Sequence, residues 1–128
     1  MKKKILIVDD DPSILDILKI VFERAGYEVI IESDGQAILD NRYEIPDIIL
    51  LDRFLSGIDG LDICRHLKNN LFTKHIPVIM VSASPDIAVT AKTAGANRFI
   101  EKPFEIAEIL KCINDIVLNN PIHIPALK

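Results

Sequence analysis

Little in this sequence would hold the chain to a membrane, to a phosphate backbone or in a disulfide framework. Its apolar runs are short. The first, Ile5 to Val8, follows Lys2, Lys3 and Lys4 and stops at three acids, too short for a secretion signal or a bilayer span. Positive charge is not in excess: 15 Lys and Arg against 19 Asp and Glu leave a net charge of -4, so no general basic field is offered to a nucleic acid. The two cysteines, Cys64 and Cys112, stand far apart in helical contexts, which suits reduced packing side chains rather than a staple or a metal site. Internal repeats and low-complexity stretches are absent. These absences point to a cytosolic chain with no direct contact to nucleic acid or membrane.

What is present is a globular balance, 49% hydrophobic and 27% charged residues over 128 positions, enough for one autonomously folding core. Five apolar runs alternate with helical patterns: KILIV (4 to 8), YEVIIE (27 to 32), PDIILL (46 to 51), PVIMVS (77 to 82) and NRFIE (97 to 101). Such alternation predicts an α/β fold, a parallel sheet covered by helices on both faces. ILIV and IILL lack the period of a half-wet strand and belong mid-sheet, whereas YEVIIE is mixed and belongs near an edge.

The intervening segments carry apolar residues at three and four, as in Ile14, Leu15, Leu18, Val21 and Phe22, or Ile106, Ile109, Leu110, Ile113 and Val117. Asp11 before Pro12 reads as a helix cap, and Gly26 and Gly95 read as helix ends. A short second helix is expected around Gln36 to Asn41. Residues 1–119 form the domain, and 120–128, with Pro121 and Pro125, read as a tail or the start of a linker.

In open parallel sheets ligands bind beyond the carboxyl ends of the strands. Here the first strand runs into Asp9, Asp10 and Asp11, and the third into Asp52. With those strands adjacent, carboxylates about 5 Å apart at an effective dielectric near 20 repel by roughly 3 kcal/mol. A hard divalent cation would relieve that, and Mg2+ takes one or two carboxylates along with waters and phosphate oxygens. Asp11 is explained fully as a cap; Asp9 and Asp10 are not. The fourth strand ends at Ser82, and the fifth leads into Glu101, Lys102 and Pro103, so a hydroxyl and a point cation face the same end. Those are the groups that phosphoryl oxygens need. Gly57 and Gly60 shape a turn and the start of the third helix.

IVDDDP, LLDRFLSGIDG, VIMVSAS and FIEKPF together resemble the four signature segments of response-regulator receiver domains, in order, over the chain up to about Asn119. The resemblance implies a flavodoxin-like five-stranded sheet of order 2-1-3-4-5. It implies Asp52 as phosphoacceptor; Mg2+, with Mn2+ able to take its place, held by Asp9, Asp10, Asp52 and the carbonyl of Phe54; and Ser82 and Lys102 on the phosphoryl oxygens. A cis Lys102-Pro103 peptide is also implied, and a switch in which Ser82 moves and Phe99 rotates to alter the face formed by the fourth helix, fifth strand and fifth helix. The partners implied are a sensor histidine kinase or a phosphotransfer protein, with a homodimer on phosphorylation. No enzymatic role is implied beyond the domain's own phosphorylation and slow dephosphorylation.

The chain departs from the family pattern at Ser56, where Pro is usual, at Arg53, Phe54 and Ser84 around the acceptor and hydroxyl, and in a shortened stretch from Ser82 to Gly95. A flavin binder of the same fold would need a Gly-rich loop after the first strand, and an aspartyl phosphatase a second acid at position 54; this chain has neither. A docking module independent of phosphorylation and the front part of a longer regulator stay open as alternatives.

Overall fold

Lys4–Val8 (β1) and Ile48–Asp52 (β3) are runs of branched aliphatics, and in the computed structural model, which describes residues 2–84 and 87–118, they are two of the three inner strands of a parallel sheet. The chain runs β1, α1 (Pro12–Arg24), β2 (Glu28–Glu32), α2 (Gly35–Leu39), β3, β4 (Phe54–Leu55), β5 (Ile58–Asp59), α3 (Gly60–Lys68), β6 (Val78–Ser82), α4 (Ile87–Thr93), β7 (Arg98–Glu101) and α5 (Ile106–Leu118). The five-stranded sheet has the order β2-β1-β3-β6-β7, the expected 2-1-3-4-5 once the small β4-β5 ribbon is set aside. That ribbon, antiparallel and two residues a side, is the element not expected from the sequence.

Both sheet faces are buried, and the alternation of a strand divides its residues between them. Leu6, Val8, Ile49, Leu51, Val78 and Met80 pack against α3 and α4, with Ile63, Cys64, Leu67, Ala91 and Ala94. Ile5, Ile7, Leu50, Ile79 and Ile100 pack on the other side against Leu15, Leu18 and Phe22 of α1 and Ile109, Ile113 and Ile116 of α5. Each such side chain contributes about 1.5–3 kcal/mol by leaving water, so the central strands are the least movable part of the molecule. β2 lies at one edge with Glu28 and Ile31 exposed and its other three residues half-buried, as its mixed pattern implied.

Helix ends follow the expected side-chain chemistry. Asp11 accepts from the Ser13 N–H at 2.9 Å and caps α1, and Gly26 and Gly95 follow α1 and α4 at positive φ. Asp34 caps α2, which starts one residue before the expected Gln36 and is closed by Asn41 at φ 58. α4 has seven described residues, and residues 85 and 86 of the stretch expected to be shortened lie outside the described residues. The 120–128 tail lies outside the described residues. Both cysteines are free, and burial pushes the Cys64 thiol up to about 11, consistent with packing rather than reactivity.

Candidate functional site

Register decides what meets at the carboxyl end of the sheet. Val8 pairs with Leu51, Asp52 with Val81 and Ser82 with Glu101, so the strands end nearly level and the next residues converge. The exit backbone is held across strands: Asp9 N–H donates to the Glu32 carbonyl, Arg53 N–H to Val81, and Lys102 N–H to Ser82. Asp9, Asp10 and Asp52 each bring a carboxylate oxygen to within 4.8 Å of the others. Asp9 and Asp52 are buried and Asp10 is exposed.

Lys102 supplies the one positive charge that touches this group among the described residues. Its Nζ lies 2.8 Å from an Asp52 oxygen and 3.8 Å from one of Asp9. Burial pulls the lysine's pKa down, but the hydrogen bond and charge of Asp52, with Asp9 behind it, carry it above the usual value. The acids move up as well. Burial raises Asp9 and Asp52 by more than Lys102 and the backbone donors lower them, and the neighbouring carboxylates add a smaller push in the same direction. Asp9 accepts from the Asp11 N–H at 2.9 Å and Asp52 from the Phe54 N–H at 3.2 Å.

The donor set fits a hard divalent ion: three oxygen anions, two of them desolvated and raised in pKa, already gathered at one mouth. It is a poor set for a soft metal, with Cys64 and Cys112 in the helix cores.

Ser82 is buried directly after Val81, the register partner of Asp52, and its Oγ accepts from the Ser84 N–H at 3.1 Å. Phe99 pairs with Met80 and is half-buried on the α3–α4 side, beside a groove of about 390 Å³ bordered by Ala91, Lys92, Ala96 and Arg98. The Lys102-Pro103 peptide is cis. The structure therefore gathers Asp9, Asp10, Asp52 and Lys102, sets Ser82 on the neighbouring strand end, and leaves Phe99 farther along β7.

Three supports were not apparent from the sequence. Arg53 makes two 3.2 Å bonds to Asp59, which also caps α3, and its guanidinium lies 4.8 Å from the centre of the Phe54 ring. Ser56 Oγ donates to Asp10 at 3.1 Å. Gly60 passes so near the acceptor strand that a Cβ would run into the Asp52 carbonyl oxygen and lie 2.9 Å from Arg53 Cα. Gly60→Ala is accordingly expected to cost about 2 kcal/mol or more, by pushing on backbone that cannot yield. Urea denaturation measures it; a loss below about 0.5 kcal/mol, the scatter of an ordinary surface change, would show the approach to be slack.

The raised carboxylates fix a sign for pH dependence. A folded pKa above the ordinary 3.8 means the native state holds its proton more tightly, so this stability is full below that value and lost as pH rises through the raised values. Asp59, lowered despite burial by Arg53 and the Leu61 N–H, acts oppositely and only below the ordinary carboxylate range. Without divalent cations, the melting temperature of the protein minus that of Asp9→Asn should fall as pH is raised from about 4 to 7. A flat or rising difference would contradict the burial argument.

The profile of the response regulator receiver domain family matches residues 5–114. The chain is 36% identical over 113 residues, 86% of its length, to the DNA-binding response regulator MtrA of Mycolicibacterium smegmatis. It is 35% identical over 129 residues, 98% of its length, to the alkaline phosphatase synthesis transcriptional regulatory protein PhoP of Bacillus subtilis. It spans about half of each relative, 48% and 53% respectively. Among solved structures, the chemotaxis response regulator CheY4 of Vibrio cholerae superposes with a TM-score of 0.83 at 27% identity, covering 91% of this chain and 99% of that one. The receiver domain of the sensor histidine kinase PA1611 from Pseudomonas aeruginosa, with a magnesium ion coordinated in the active site cleft, gives 0.78 at 26% identity, covering 90% of this chain and 97% of that one.

Proposed function

Because the chain belongs to the response regulator receiver domain family of two-component signalling, we propose that Asp52 accepts a phosphoryl group from a phosphohistidine on a sensor histidine kinase or phosphotransfer protein. The observation that carries this is the meeting of three carboxylates within 4.8 Å at the sheet's carboxyl end, with Lys102 Nζ 2.8 Å from Asp52.

An Asp52 oxygen attacks phosphorus, an O–P bond forms, the N–P bond to the donor imidazole breaks, and that ring leaves with the electron pair. Lys102 already touches Asp52 and holds positive charge where a phosphoryl oxygen arrives, and the Ser82 hydroxyl offers a second donor from the neighbouring strand end. Asp9, Asp10, Asp52 and the carbonyl of Phe54 would hold Mg2+, or Mn2+ in its place. When bound, the cation neutralises the gathered acids and the charge of the incoming phosphoryl group. Asp9, buried just past the end of β1 and held by the Asp11 N–H, keeps the acceptor's surroundings in place without being consumed.

The output is a two-state surface. Ser82 turning toward the phosphoryl group gives up its contact to Ser84, and Phe99, beside the groove between α4 and β7, re-packs. The face of α4, β7 and α5 then takes a downstream protein or a second copy of the chain. The domain is a signalling module, and its only chemistry is gain and slow loss of its own phosphoryl group. Since the chain spans about half of its curated relatives, a second reading has it as the front part of a longer regulator whose output lies elsewhere. These residues, with a net charge of -4, would then make no nucleic-acid contact themselves. A cytoplasmic site follows from the kinase chemistry, and no described helix is long and apolar enough to cross a membrane. A docking module indifferent to phosphorylation is disfavoured, since it would have no need of Asp52, Ser82 and Lys102 together.

Incubation with a small phosphoryl donor and Mg2+ should yield a hydroxylamine-sensitive adduct that borohydride reduction maps to position 52. An adduct at another residue, or none with either a small donor or a phosphorylated kinase, would refute the assignment.

A further inference from the structure

The three acids are not held alike. Asp9 and Asp52 are buried, each fixed by a backbone N–H and by Lys102. Asp10 is exposed, and its one side-chain hydrogen bond among the described residues comes from Ser56 Oγ, 46 residues later, at 3.1 Å. Among the described residues no other side-chain contact restrains it against the repulsion of its neighbours.

Ser56 stands on a stiff mount. It and Gly57 form the two-residue turn between β4 and β5, with Gly57 at φ 73 and Ser56 at negative φ, the pattern of a type II turn. The ribbon below is clamped by the paired Arg53–Asp59 bonds, by Arg53 over the Phe54 ring, and by the Gly60 N–H donating to the Arg53 carbonyl at 2.6 Å.

We propose that Ser56 is a positioning residue for Asp10, holding its carboxylate beside Asp9 and Asp52 so that the cation site is gathered before the cation arrives. The inference rests on the Mg2+ reading above. The hydroxyl occupies one Asp10 oxygen and leaves the other free, and it is a charge-assisted donor that a Pro or Ala at this position cannot supply. Released from it, an exposed Asp10 turns to water to escape its neighbours, and a cation must draw it back. Partners of this kind typically govern metal affinity by tenfold or more.

The test follows backbone amides of residues 9–11 and 52–54 by NMR during titration with MgCl2. Ser56→Ala should weaken Mg2+ binding by about tenfold, Ser56→Thr should restore it, and the amides of α5 should be unchanged in all variants. Ser56→Pro suits the i+1 position of the turn and keeps the ribbon folded, so it should behave like Ala. In an Asp10→Asn background, Ser56→Ala should add nothing further. Equal affinity for the protein and Ser56→Ala would overturn the inference, as would full affinity in Ser56→Pro, which would trace the effect to turn stiffness. If the unsubstituted protein shows no Mg2+-dependent shifts at all, the cation reading itself fails first, and this one with it.

Discussion

Asp52→Asn is expected to do two opposite things: reduce phosphoryl incorporation to background and raise the melting temperature of the Mg2+-free protein. The first follows from chemistry, since a carboxamide oxygen is no nucleophile toward phosphorus and no other acid is buried against Lys102 on the acceptor strand. The second follows from the balance of charges. Carboxylates within 4.8 Å of one another cost about 3 kcal/mol per pair at an effective dielectric near 20. Lys102 offsets part of that, yet burial still leaves the Asp52 pKa raised, so the charged form is the disfavoured one and a neutral isostere is preferred. With Asp9 left to pair with the lysine, the net gain should be about 1 kcal/mol, or roughly 4 °C in a domain of this size. Labelling with a phosphorylated donor and a thermal melt in chelator check the two arms. Residual acid-labile label at full rate would remove Asp52 from its role. A drop in melting temperature would mean that the lysine bond, not the repulsion, dominates the site.

The parts of this arrangement that could be read in advance are those whose cause is local. Ile5 to Val8 and Ile48 to Leu51 announce inner strands because unbroken branched aliphatics have nowhere wet to go, and the acids that follow announce the sheet's working end. Asp11 before Pro12 is sufficient for a helix start, and Asp11 caps α1 as expected. The level ends of β1, β3, β6 and β7 then bring Asp9, Asp52, Ser82 and Lys102 into one neighbourhood, which is a consequence of strand order.

What could not be read depends on partners far along the chain. The β4-β5 ribbon is two residues a side, too short for any periodicity, and its existence rests on Gly57, on the Arg53–Asp59 pair and on Gly60 fitting under the Asp52 carbonyl. Asp59 looks like a loop acid until the turn places it at the head of α3. Ser56 looks like a substitution for proline until it is found on Asp10. Lys68 reads as a surface lysine, but its Nζ donates to the Ile76 carbonyl at 2.7 Å and to Asn97 Oδ1 at 3.0 Å, tying α3 to the entries of β6 and β7. Burial lowers its pKa accordingly. Such contacts join segments that share no local pattern, so only the folded chain reveals them.

Lys102→Met should separate two properties that a simple loss of the site would lower together: Mg2+ affinity rises and phosphoryl transfer slows. The lysine and a divalent cation seek the same anions, Asp52 at 2.8 Å and Asp9 at 3.8 Å from Nζ. Removing the ammonium while keeping its length deletes a competing positive charge, and Mg2+ should bind about tenfold more tightly or better, since tenfold takes only about 1.4 of the few kcal/mol between charges so close. Without Mg2+ the variant keeps two buried carboxylates with no counter-charge, and breaking a pair of this kind costs roughly 3 kcal/mol. Its melting temperature should therefore fall in chelator and recover with Mg2+ further than the unsubstituted protein's does, because the stabilisation grows with affinity. Transfer moves the other way. Even with Mg2+ saturating, a phosphoryl oxygen arriving at Asp52 finds no ammonium, and loss of one such donor typically slows a reaction by about 100-fold or more. An amide NMR titration and the rate of phosphoryl incorporation at saturating Mg2+ measure the two halves. If affinity and rate fall in parallel, Lys102 is shaping the cluster rather than competing for it, and the charge balance derived for the site is wrong.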